Sequence, residues 1–176
     1  MKNPCLVVID MQEKLFPAIS NNEILLENIE ILIRGFQLFD FPIVVTEQVP
    51  DKLGKTIDRI STLFKQVKPI IKSSFSCLGE SNFIKLVENH NPSEIILVGV
   101  ETHVCVYQTA LDLIKEKKHV EVVANGVSSR DGDNHLVALS RMQNQGVLLN
   151  TVEMLLFDIQ KKAEGDTFKK IIKLLK

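Results

Sequence analysis

The 176-residue sequence predicts a three-layer α/β/α sandwich around a six-stranded parallel sheet. Three observations lead there. Short β-rich apolar runs alternate with longer helical patterns along the chain. The runs are apolar at successive positions, so both faces are buried, as in a parallel sheet between helix layers. No repeat, low-complexity segment or linker interrupts them, which predicts one domain over residues 1–176.

In order, the strands are expected in CLVVID (5–10), PIVVTE (42–47), PIIKS (69–73), EIILVG (94–99), HVEVVA (119–124) and GVLLNT (146–151). Between the first two, Ile24, Leu25, Asn28, Ile31, Leu32, Phe36 and Leu38 suggest a helix face. Phe83, Leu86 and Val87 suggest another, Val104 to Ile114 a third, and Leu136, Leu139 and Met142 a fourth. The segment QVPDKLGKT (48–56), with Pro, Gly and mixed charge, is expected as a surface excursion. The tail FKKIIKLLK (168–176) reads as a basic amphipathic helix that docks on its own domain or a neighbour.

The formal charge of −1 favours no nucleic-acid partner, and no apolar run reaches a membrane-spanning length. The N-terminus runs directly into the first strand, unlike a signal peptide. Three widely spaced cysteines, Cys5, Cys77 and Cys105, argue against a disulfide framework and for a reducing, cytoplasmic compartment. Four scattered histidines and the absence of CxxC argue against a zinc site. No GxGxxG follows the first strand, so a dinucleotide is not expected.

Ligands of a parallel α/β sheet sit beyond the carboxyl ends of its strands. Asp10, Glu47, Lys72 and the Gly99–Cys105 turn occupy those ends. Cys105 is expected in the first turn of a helix, where free N–H groups, the helix dipole and a neighbouring Lys72 would favour a thiolate. Asp10 could accept the thiol proton and return it to a leaving group. Turn N–H groups could hold an oxyanion. A packed core thiol is the plain alternative for Cys105. Cys5 and Cys77 read as core, and Glu47 as a structural carboxylate. His103 lies about 200° around a helix from Cys105, so it reads as a rim residue. RDGDN (130–134) reads as a helix cap rather than a metal loop.

The motifs VVIDMQ (7–12), KSSFS (72–76) and VGVETHVCV (98–106), in order at strand ends, resemble the isochorismatase-like cysteine hydrolase superfamily. TEQVPDKLG (46–54), SSR (128–130), ALSRMQNQG (138–146) and TVEMLLF (151–157) resemble its isochorismatase-domain-containing subgroup. The resemblance implies a Rossmann-like fold with strand order 3-2-1-4-5-6. It implies a catalytic triad of Asp10, Lys72 and Cys105, with a cis peptide bond between Val100 and Glu101. The N–H groups of Glu101 and Cys105 would form the oxyanion hole. Gln12, Leu15, Phe16 and Phe75 would line the substrate pocket, each with a scaffold role as the alternative. Nicotinamidases of the superfamily carry metal-binding histidines near the second strand, and here no histidine precedes His90, so no metal or other cofactor is expected. Glu101 stands where the superfamily often has a small or apolar residue, and a carboxylate at the lip would disfavour anionic substrates unless paired. The expected activity is hydrolysis of a small amide through a thioester by a homo-oligomeric enzyme. Vinyl-ether hydrolysis and a non-catalytic interaction role remain as alternatives.

Overall fold

The computed structural model describes residues 1–64 and 67–176. Its sheet consists of β1 (Cys5–Ile9), β2 (Ile43–Gln48), β3 (Ile70–Lys72), β4 (Ile95–Val100), β5 (Val120–Ser128) and β6 (Leu148–Asn150). All pairings are parallel, and the order is β3-β2-β1-β4-β5-β6. The order reverses beside β1, where chains leaving β1 and β4 diverge and open a crevice.

The helices are α1 (Asn22–Leu38), α2 (Pro50–Leu53), α3 (Asp58–Ser61), α4 (Ser81–His90), α5 (Tyr107–Lys115), α6 (Gly132–Asn144), α7 (Val152–Gln160) and α8 (Gly165–Leu174). Alternate β1 residues feed opposite layers. Leu6 and Val8 meet Leu26, Ile29, Leu32, Ile33 and Phe36 of α1 with Leu155 and Leu156 of α7. Cys5, Val7 and Ile9 join Phe83 and Val87 of α4, Ala110 and Leu113 of α5, and Met142 of α6. The tail helix α8 docks on its own chain, with Ile171 buried in the α1 layer. Asp131 caps α6 by accepting from the Asn134 N–H at 2.8 Å.

The buried stripes differ from the sequence reading. On α1, Leu25, Leu26, Ile29, Leu32, Ile33 and Phe36 face inward, whereas Ile24 is 61% exposed. On α6, Ala138 and Met142 face inward, and Leu136 is 63% exposed. Apolar residues flank each stripe, so periodicity alone does not fix the helix rotation. The 48–56 segment is no simple excursion, because Gln48 and Thr56 are both buried. It is pinned by an antiparallel bridge between Gln12 and Thr56 and by the bond from Glu13 N–H to Lys55 C=O, 3.0 Å.

The register sets the carboxyl ends level. Ile9 pairs with Thr46 on one side and Gly99 on the other, and Gln48 pairs with Lys72. Asp10, Thr46, Gln48, Lys72 and the turn after Gly99 are thereby gathered at one edge.

Candidate active site

β1 leads directly into Asp10, whose backbone is left-handed (φ 52°). Asp tolerates that region better than most side chains. Its carboxylate is fully buried and held at both oxygens. Oδ1 accepts from the Thr46 hydroxyl at 2.8 Å, and Oδ2 accepts from Lys72 Nζ at 2.7 Å. A buried carboxylate stays ionised only when so paired.

Lys72, the last residue of β3, is 2% exposed. Beyond Asp10, its ammonium donates to Gln48 Oε1 at 2.6 Å. It makes longer contacts with the carbonyls of Ser74 and Phe75, each 3.3 Å, and with Cys105 Sγ at 3.5 Å. Burial by itself would lower the Lys72 pKa, but its neighbours, the Asp10 carboxylate foremost, more than offset it, so the pKa is raised and the ammonium persists.

Cys105 comes from the segment that follows β4. Gly99 lies at φ 110°, outside the range of other residues, and a Cβ there would overlap the Ile9 backbone. This close approach lets β4 run against β1 to its end. The Val100–Glu101 peptide bond is cis. Thr102–Val106 then form one π-helical turn before α5. Cys105 therefore sits in a widened turn ahead of the α-helix, not in the α-helix's own first turn. Its side chain is 7% exposed, and burial pushes the thiol pKa up to about 12, Asp10 adding to the rise and Lys72 opposing it. The expectation of a resting thiolate is corrected here. Desolvation outweighs the ammonium, and the thiol keeps its proton until a base removes it.

The other site residues divide. Gln12 is fully buried, and its amide is taken up by backbone. Nε2 donates to the carbonyls of Gln48 (3.0 Å) and Gly54 (2.6 Å), and Oε1 accepts from Gln48 N–H (2.7 Å). It braces the loop behind the site instead of facing a pocket. Leu15 and Phe16 are half-buried and pack against the α1-side core. Phe75 is 53% exposed and lines a cleft of about 680 Å³ with Ser74, Leu78, Ile84, Gln108 and Asp112. Glu47 accepts from the N–H and hydroxyl of Thr56, both at 2.7 Å, a structural tie. His103 Nδ1 and Ser129 Oγ lie 2.9 Å apart, and Thr102 Oγ1 and His135 Nδ1 are also 2.9 Å apart. Glu101 is paired. Its Oε2 accepts from Arg130 N–H at 3.0 Å and lies 3.6 Å from Arg130 Nε. Among the described residues, no group of three or more His, Cys, Asp or Glu is placed to hold a metal ion.

Gln48 escaped the sequence reading, which took it as the start of a loop. The available signal was its position at a strand end, two residues after a threonine that points the same way.

The isochorismatase domain matches residues 4–154 of the chain. The chain belongs to the isochorismatase family. It is an isochorismatase-like hydrolase by that membership. Isochorismatase domain-containing protein 2 of Danio rerio is 37% identical over 174 residues, covering 99% of this chain and 87% of that protein. Protein 2A of Mus musculus is 33% identical over 171 residues, covering 97% and 82%. Among solved structures, the MAR1 ribonuclease of Caenorhabditis elegans matches with a TM-score of 0.91 and 31% identity, covering 98% of this chain and 89% of that one. YcaC of Escherichia coli, described as an octameric hydrolase of unknown specificity, shares the fold at TM-score 0.92 and 20% identity, covering 98% and 87%.

Proposed function

We propose that this isochorismatase-family chain hydrolyses a small amide through a thioester on Cys105. One observation carries the reading: Lys72 Nζ touches both Asp10 Oδ2 (2.7 Å) and Cys105 Sγ (3.5 Å) inside a desolvated site. The thiol is protonated at neutral pH, so its proton leaves during attack, not before it. Asp10 takes that proton as the Sγ–C bond forms and the carbonyl π pair moves onto oxygen. The N–H groups of Glu101 and Cys105 receive the oxyanion, and Lys72 offsets the negative charge that Asp10 carries before it takes the proton and that builds on sulfur during attack. Asp10 returns the proton to the amine as the C–N bond breaks. Water, deprotonated by Asp10, then attacks the thioester and releases the acid. The sulfur leaves and regains its proton. The substrate is a small molecule, and no metal or organic cofactor enters the scheme. A cytoplasmic location fits three buried, unpaired cysteines. Homo-oligomerisation is proposed on the octameric YcaC fold relative.

Vinyl-ether hydrolysis with Asp10 as the acid is a second reading. The Glu101–Arg130 pairing favours it, because a neutralised lip carboxylate no longer repels an anionic substrate. The test is ammonia release from a panel of small aliphatic and aromatic amides, with Cys105→Ala as control. Release that vanishes in Cys105→Ala supports the amidase. Turnover of a vinyl ether that survives Cys105→Ala favours the second reading. Cleavage of RNA, the activity named for the Caenorhabditis elegans relative, in place of either would overturn both.

A further inference from the structure

Gln48 is the side chain in the site with no assigned role, and its surroundings define one. It closes β2 and is 8% exposed. The orientation of its amide is determined by its neighbours. Nε2 donates to Ser73 C=O at 2.9 Å, which leaves Oε1 as the atom facing Lys72 Nζ at 2.6 Å. That same Oε1 lies 3.9 Å from Cys105 Sγ. The residue cannot drift, because Gln12 grips its backbone at both N–H and C=O.

An ammonium has three N–H bonds. At Lys72 two of them go to the two short acceptors, Asp10 Oδ2 and Gln48 Oε1. The third falls among three long contacts, two loop carbonyls at 3.3 Å and the sulfur at 3.5 Å. Building on the nucleophilic reading of Cys105, we propose that Gln48 is a positioning residue that orients the Lys72 ammonium so that its third N–H is presented to the sulfur. The loop carbonyls hold that proton weakly. It transfers its hydrogen bond to Sγ as the thiol proton departs to Asp10, and no protonation change of Lys72 is needed. The neutrality of the Gln48 amide is part of the role. A carboxylate in its place would keep the acceptor but set a second negative charge beside the sulfur. The charged groups facing Cys105 are then Asp10, just past β1, and Lys72 from β3, with the Cys77 thiol near Lys72 and Gln48 the neutral member.

The test follows alkylation of Cys105 by iodoacetamide in the full-length protein across pH, read at the modified residue by peptide mass. Gln48→Met and Gln48→Glu are compared with wild type after thermal melting shows that each is folded. In Gln48→Glu alkylation at a given pH should slow about tenfold or more, because a like charge close to a buried sulfur opposes ionisation. In Gln48→Met, which is of similar length but has no acceptor, alkylation at neutral pH should slow about tenfold, with Cys5 and Cys77 unaffected. A merely structural glutamine would leave Cys105 alkylation in Gln48→Met at the wild-type rate across pH, and that result overturns the inference. If wild-type Cys105 resists alkylation at every pH while folded, the nucleophile reading itself fails, and the Gln48 role with it.

Discussion

At the scale of single residues, the site is a set of buried polar groups that satisfy one another. Asp10 and Lys72 form an ion pair whose side chains are both 0% exposed. Such a pair adds little net stability compared with apolar residues, but removing one partner strands the other. Lys72→Met should therefore destabilise the fold by about 3–5 kcal/mol and abolish turnover. Adding Asp10→Asn should recover much of the lost stability and none of the activity. Urea denaturation of the two single variants and the double variant measures this coupling. Additive losses would mean that the pair is not a coupled unit. Asn is the suitable replacement, since it tolerates the left-handed backbone at position 10.

Elements matter here through where they stop. β2 and β3 end on polar side chains that turn into the site, β1 is followed at once by another, Asp10, and the next-to-last residue of β4 is the glycine that lets it press against β1. Gly99→Ala would place a methyl group against the Ile9 backbone at φ 110°. It should cost at least about 2 kcal/mol, from backbone strain and overpacking together. A urea midpoint equal to wild type would show that β4 can shift away from β1. The π turn at Thr102–Val106 precedes α5 and carries Cys105, whose sulfur lies 3.5 Å from Lys72 Nζ.

For the whole molecule, the buried thiols give a distinctive response to alkali. Burial raises Cys5 to about 12, Cys77 to about 11 and Cys105 to about 12, from the ordinary thiol value of 9.0. Lys72 is raised as well. In the unfolded chain the thiols ionise near their ordinary value, whereas the folded chain retains those protons. Above that value the unfolded state thus binds fewer protons, and stability must fall as pH rises. The melting temperature should decline steadily from about pH 8 to about pH 10.5, and Cys5→Ala should lessen the slope. A flat melting curve over that range would show that the thiols are not desolvated as described.

The sequence by itself determined the architecture and pointed to the polar residues that gather at one edge of the sheet. Apolar runs of strand length between helical patterns have one economical arrangement, a parallel sheet covered on both faces, and motif order carried the sheet topology. Polar residues at the ends of apolar runs are conspicuous for the same reason, since a buried strand has few other uses for Asp or Lys. Thus Asp10, Lys72 and Cys105 could be named from one dimension. Tertiary structure decided what depends on neighbours distant in sequence. It set the rotation of α1 and α6, which apolar residues on both flanks of the stripe left ambiguous. It turned Gln12 inward as a brace and brought Gln48 onto Lys72 through the β2–β3 register. It paired Glu101 with Arg130 across 29 residues. It also reversed the expected ionisation of Cys105. A thiol's charge depends on the balance between desolvation and a nearby ammonium, and burial is a property of the packed chain that no local motif records.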